Sequence, residues 1–124
     1  MSLNIPLREQ AEYTFRIDLD EIVNDCRIYW VQFSETIAGD MSTAGFWALD
    51  IQNPIFNIKG IKLVCGVDIM WPYSHADFGG FVVFDMSGKN LDPEFNGIGE
   101  RWQMNYYPIA EAQAMREGLG FETV

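Results

Sequence analysis

A single histidine, His75, limits the acid–base chemistry open to this chain. One imidazole permits one Ser-His-Asp or Cys-His arrangement, and no GxSxG or comparable nucleophile motif accompanies it. Asp68 and Asp77 are near enough in sequence to join His75 around a divalent ion. Loop spacing does not supply three ligands, however, and a solvated loop histidine accounts for the same residues. The run Asp85, Ser87, Asn90, Asp92 and Glu94 is rich in the oxygens that a hard cation needs. It lacks the DxDxDG spacing and the closing glutamate of a calcium loop, and Pro93 interrupts it, so it reads as a turn between strands. Gly97 and Gly99 form GxG without the third glycine or the strand-to-helix setting of a dinucleotide site. Among 18 acidic residues no pair stands out as the acid and nucleophile of a glycosidase. The sequence therefore predicts no catalytic residue, no cofactor and no metal ligand.

Two thiols and a group of aromatics complete the reactive or adhesive side chains. Cys26 and Cys65 are flanked by apolar or strand-like sequence and are not in a CxxC pair, so buried free thiols are expected. Trp71, Tyr73, Phe78 and Phe81 lie on a stretch containing proline and glycine. Core packing would absorb most of them. If Trp71 and Tyr73 are exposed they suit a protein interface, where Trp and Tyr dominate the binding energy. Stacking on a sugar ring, with His75 nearby, is the alternative.

These residues sit on a chain of 124 residues, enough for one domain. A chain of this size buries roughly two-thirds of its unfolded surface, which suffices without disulfides or a structural metal. Aromatics reach 15%, a usage that suits pleated surfaces. A formal charge of -10 disfavours free nucleic acid and anionic membranes as partners. Met1 to Arg8 has no basic segment leading into an apolar run, and no stretch approaches the roughly 18 apolar residues of a membrane span. The expectation is a protein made in the cytosol, without membrane insertion.

The elements that would position these side chains are mostly strands. Tyr13 to Leu19 alternates apolar and polar residues, as a half-buried strand does. The acidic run Asp18 to Glu21 interrupts it, and Cys26 to Phe33 follows as the second arm of a hairpin. This arm is apolar on both faces, so it lies centrally or meets another subunit. Thr36 to Gly45 reads as a loop. Phe46 to Ile51 places Trp47, Leu49 and Ile51 on one face. Ile58 to Val64 is a fourth strand in which Gly60 marks a bulge or close backbone approach. Cys65 to Phe78 is an apolar crossover and loop, with Pro72 holding Trp71 extended. Phe81 to Phe84 and Arg101 to Tyr107, the latter with Trp102, Met104 and Tyr106 on one side, are further strands, separated by turns at Asp85 to Lys89 and Asp92 to Gly99. Ile109 to Glu117 has helix-forming composition with Gly118 as its stop, and a helix so short is marginal alone. The predicted fold is all-β or mainly β: a small antiparallel β-sandwich or barrel of about six to eight strands with a short C-terminal helix or tail.

The order of segments carries a resemblance. Ile5-Pro6-Leu7 is followed by Asp18-Leu19-Asp20, Trp47 with Leu49-Asp50-Ile51, and Leu63-Val64-Cys65-Gly66-Val67-Asp68-Ile69. Then come Tyr73, Phe78-Gly79-Gly80, Asp85 with Gly88, Asp92-Pro93, Gly97-Ile98-Gly99 and Tyr106-Tyr107. This series resembles the phage baseplate plug family, small proteins of contractile-tailed phages similar to the cyanophage baseplate network plug protein. It runs from about Ile5 to Ala110. The chain departs from the pattern in a longer loop at Glu35 to Gly45, in the absence of a glycine turn at Asn53 to Asn57, and in a tail, Glu111 to Val124, without a counterpart.

The resemblance implies a β-rich plug-like domain over residues 1–110; the C-terminal extension, 111–124, lies beyond it and is expected to form an interface. The resemblance also implies a structural protein without catalytic residues, present in several copies near the tail axis and contacting hub, tube, spike or wedge components. Such a protein would assemble in the host bacterial cytoplasm and reside in the virion. Persistent interfaces are apolar at their centres. The residues expected to meet partners are therefore Tyr29, Val31 and Phe33 on the two-faced strand, Trp71 and Tyr73 on the aromatic loop, and Met115, Leu119 and Phe121 in the tail.

Overall fold

The computed structural model describes residues 3–32, 45–76 and 78–118. Its strands are β1 (Leu3–Ile5), β2 (Glu12–Leu19), β3 (Ile22–Gln32), β4 (Gly45–Gln52), β5 (Asn57–Lys62), β6 (Gly80–Asp85) and β7 (Trp102–Tyr107). A 3-10 helix covers Trp71–Ala76, and helix α1 covers Ile109–Gly118. The strands form two antiparallel sheets: a meander ordered β2-β3-β4-β5 and a smaller sheet ordered β1-β7-β6. The architecture is thus the open, two-sheet alternative, not a closed barrel.

Alternation decides which side chains go inside. Leu19, Ile28, Trp47, Leu49 and Ile51 of the meander and Ile5, Phe81, Val83, Trp102, Met104 and Tyr106 of the small sheet are buried in one cluster. Strand β3 is central, between β2 and β4, as its two apolar faces require. It begins at Ile22, earlier than the apolar run suggests, because Asn24 is accommodated inside. The Asn24 side chain donates to the Ile22 carbonyl at 2.8 Å and accepts from the Asn53 amide at 2.7 Å, so no polar atom is left unmet there.

The β2–β3 turn consists of Asp20 and Glu21 at φ 54° and 64°, the paired left-handed geometry of a two-residue hairpin. Neither residue is the Asn-Gly that such a turn favours. Asp20 recovers the cost through its carboxylate, which accepts the Tyr106 hydroxyl at 2.5 Å and the Ile109 N–H at 3.0 Å. One side chain thus joins the meander to the small sheet and caps the start of α1.

Between β5 and β6 the chain crosses from one sheet to the other. The Gly66 and Ile69 N–H groups donate to the Val83 and Phe81 carbonyls at 2.9 and 3.0 Å, so this crossover covers the outer edge of β6. The Asp68 carboxylate accepts the Met70 N–H and turns the chain into the 3-10 helix. Gly79 then enters β6 where a side chain would collide with the Tyr107 carbonyl oxygen and the Tyr106 hydroxyl. Gly60 holds the bulge expected of it, at φ 76°, with a register shift opposite β4 and its N–H donated to Asp50.

The connection from β6 to β7 is fixed by indoles. The Nε1 groups of Trp47 and Trp102 donate to the carbonyls of Glu94 and Leu91 at 2.8 and 2.9 Å. Phe95 stacks on Trp47 with ring centroids 5.4 Å apart, and Trp30 meets both edge-on. Replacing Tyr106 by Phe should lower the free energy of unfolding by about 1–3 kcal/mol, because Asp20 and the Gly79 N–H lose a buried partner together. Urea titration followed by circular dichroism measures this, with β-sheet content expected to be unchanged before the transition.

Candidate interaction surfaces

The outer face of the meander divides into a charged half and an apolar half. Arg16 meets Asp25 at 2.8 Å, and Arg27 meets Glu12 at 2.6 Å and Asp50 at 3.3 Å. Exposed pairs of this kind contribute little each, roughly 0.2–1 kcal/mol, but they leave the face tolerant of water. Beyond Arg27 the polarity falls. The Arg27 guanidinium lies 4.1 Å from the Tyr29 ring, and the Tyr29 hydroxyl donates to Asp50 at 3.0 Å. Burial, and then the neighbouring Asp50, raises the Tyr29 phenol above its ordinary range, so it remains a donor. Val31 pairs across the sheet with Phe46, over which the Lys62 ammonium sits at 5.4 Å. Tyr29 and Val31 are therefore brought together, half-buried, with Phe46 as a companion that the sequence reading did not single out. Phe33 lies outside the described residues.

A second surface occupies the open flank between β5 and the crossover. Trp71 and Tyr73, both half-buried, border a groove of about 460 Å³ with Ile61, Val64, Val67 and Ile69. The groove exists because the chain leaves β5 to follow the edge of β6, which turns apolar residues of both segments towards the gap. Its polar groups are few: Lys62 at the lip and Asp68, which already accepts the Met70 N–H at 2.9 Å. Phe78 and Phe81 do not join this surface but are buried in the core. Val67, 46% exposed, is a groove residue hidden from sequence reasoning because its neighbours Cys65 and Asp68 read as crossover. His75 belongs to the 3-10 helix, and its side chain is outside the described set, as is Asp77. Met115 lies on α1 with its side chain likewise outside that set, and Leu119 and Phe121 lie beyond the described residues.

The family model described as cyanophage baseplate Pam3 plug gp18 matches residues 2–109. The chain belongs to this family. No curated protein matches it significantly. The plug family is a structural one of the phage baseplate, and several of the residues that carry the resemblance are scaffold residues. Gly66, Asp68 and Ile69 build the covered edge, Gly79 admits β6 beneath Tyr106, and Ile98 is buried in the core. Asp92 accepts the Cys65 N–H at 3.0 Å and ties the β6–β7 connection to the crossover.

The oxygen-rich run of the plug chain works in the same structural way. The buried Asp85 carboxylate accepts Arg101 Nε and Nη2 at 2.9 and 3.0 Å, the Ser87 N–H and hydroxyl at 3.0 and 2.7 Å, and the Leu91 N–H at 3.1 Å. The Arg101 bonds, reinforced by Ser87 and Leu91 and opposed by burial, hold this carboxyl well below its ordinary 3.8. With five donors aimed at it, Asp85 is a turn clamp. Among the described residues no three of His, Cys, Asp and Glu gather as metal ligands. Cys26 and Cys65 are free, the first buried and the second half-buried. Burial foremost, with Asp25 adding to it, pushes the Cys26 thiol up to about 12, so it is protonated and unreactive at neutral pH.

A carboxyl with a depressed native pKa stabilises the fold fully above its unfolded value and loses that contribution as the pH falls through the native value. Urea midpoints should therefore drop from about pH 4 downward. Asp85→Asn should lower the midpoint at neutral pH and remove part of the acid slope. Iodoacetamide at mildly alkaline pH should leave Cys26 unmodified in the native chain and alkylate it after unfolding, as read by peptide mass spectrometry.

Proposed function

We propose that this chain is a non-catalytic structural subunit of a contractile phage tail baseplate, present in multiple copies and binding hub, tube, spike or wedge neighbours near the tail axis. The family match over residues 2–109 carries the reading. The two apolar surfaces support it, because persistent interfaces centre on desolvated aromatic and aliphatic side chains with a polar rim. Trp71 and Tyr73 would anchor one neighbour in the flank groove. Tyr29 and Val31, together with Phe33, would contact another. Residues 1–110 would act as the plug-like domain and residues 111–124 as an interface-forming extension through Met115, Leu119 and Phe121. The charge of -10 fits protein partners and no nucleic acid. Assembly would take place in the host cytoplasm, and the finished location would be the virion tail.

Complementation of a phage lacking this gene tests the proposal. Trp71→Ala with Tyr73→Ala should reduce the amount of the chain in purified tails several-fold while the isolated domain stays folded. Removing residues 111–124 should do likewise, and normal incorporation of the shortened chain would take the extension out of the scheme. The shared groove position of Trp71 and Tyr73 also favours a second reading, a carbohydrate- or ligand-binding β module. Titration with cell-surface glycans should then give a saturable change in Trp fluorescence that Trp71→Ala abolishes; a flat response leaves the assembly role.

A further inference from the structure

We propose that copies of this chain join edge to edge through the meander, β5 of one copy against β2 of the next. This goes beyond the baseplate reading and does not depend on it. Strands β2 and β5 are the two edges of the meander, whereas the β6 edge is covered by the crossover and β1 has only three residues. Four antiparallel strands leave β2 and β5 running in opposite directions. Two copies in the same orientation therefore bring β5 beside β2 as antiparallel neighbours, the pairing found at every junction within the meander.

The register supplies complementarity. One rung of the outer face runs Glu12, Tyr29, Ala48, Lys62, so an acid ends it at one edge and a base at the other. A copy added at the same level sets Lys62 beside Glu12 of its neighbour. The rung through Arg16, Asp25, Gln52 and Asn57 sets Arg16 beside neutral Asn57, so no like charges meet. On the inner face the rungs end in Tyr13 and Phe15 on β2 and in Ile61 and Ile58 on β5. Phe15 and Ile58 are only half-buried, and the contact would extend the apolar layer across the junction towards the groove.

Charge also selects the partner strand. Among the described residues Lys59 and Lys62 form no ion pair, although the chain carries a net -10. Edge lysines oppose indiscriminate strand pairing. Here they repel a second β5 and accept the acid-bearing β2. The contact is heterologous, so it closes into a ring or runs on as an open array.

Sedimentation of the full chain over a range of concentrations tests the inference. The wild type should associate beyond the monomer. Lys62→Glu alone and Glu12→Lys alone should each weaken association at least tenfold with unchanged circular dichroism. An equimolar mixture of the two should restore it, since the reversed β2 of one variant meets the reversed β5 of the other. A second measurement uses Glu12→Cys with Lys62→Cys in a Cys65→Ser background. The two positions lie about 14 Å apart within one chain at ~4.8 Å per strand, beyond the reach of a disulfide. Mild oxidation should give a ladder of covalent multimers, where each single variant stops at a dimer. A monomeric wild type at all concentrations, no rescue on mixing, or no ladder overturns the inference.

Discussion

The hydroxyl of Tyr106 donates to Asp20 and accepts from the Gly79 N–H, and the same Asp20 carboxylate receives the first N–H of α1. Four elements from three distant stretches of the sequence meet at this point: the β2–β3 turn, the entry to β6, and the end of β7 with the helix that follows it. The buried members of this cluster, the Tyr106 hydroxyl and the Gly79 N–H, are tolerated inside only because each is satisfied. Its position in turn explains two otherwise costly choices, an acidic pair in left-handed geometry and a glycine pressed against an aromatic strand. The apolar core sets the two sheets face to face, but this node sets their relative placement and the direction in which the C-terminal helix departs.

The arrangement of charge continues the theme. Buried Asp85 is clamped by five donors, and the exposed arginines of the meander are paired across neighbouring strands. Among the described residues Arg16, Arg27 and Arg101 are committed to internal ion pairs, whereas Lys59 and Lys62 of β5 form none. The oxygen-bearing side chains that looked most like a ligand set hold turns in place. Beside these charges the described surface presents apolar side chains on part of one sheet face and in one flank groove, the groups on which the proposed packing would rely.

Much of this was visible in the sequence because period-two alternation reports directly on which side chains face the core. Trp47, Leu49 and Ile51, and likewise Trp102, Met104 and Tyr106, were placed correctly on that basis. The two apolar faces of β3 allow a central position or a contact with another subunit, and the sheet order places it centrally. Strand β1 escaped notice, since three residues before Pro6 cannot display a period. The 3-10 helix escaped because its stability comes from Asp68 and Met70 turning the chain, a contact made by the tertiary fold. The groove was only half foreseen. Trp71 and Tyr73 stood out as aromatics, but Ile61 and Val67 became part of the same surface only when the crossover brought the edges of two sheets side by side.

The indole tethers of the β6–β7 connection have a consequence for how such a protein can diversify. Trp47 and Trp102 grip main-chain carbonyls at positions 94 and 91, groups that every amino acid possesses. The side chains at those two positions are therefore free to drift while the path of the segment persists. A lineage could recode this patch of its exterior to suit a changed neighbour, and the interior would register nothing.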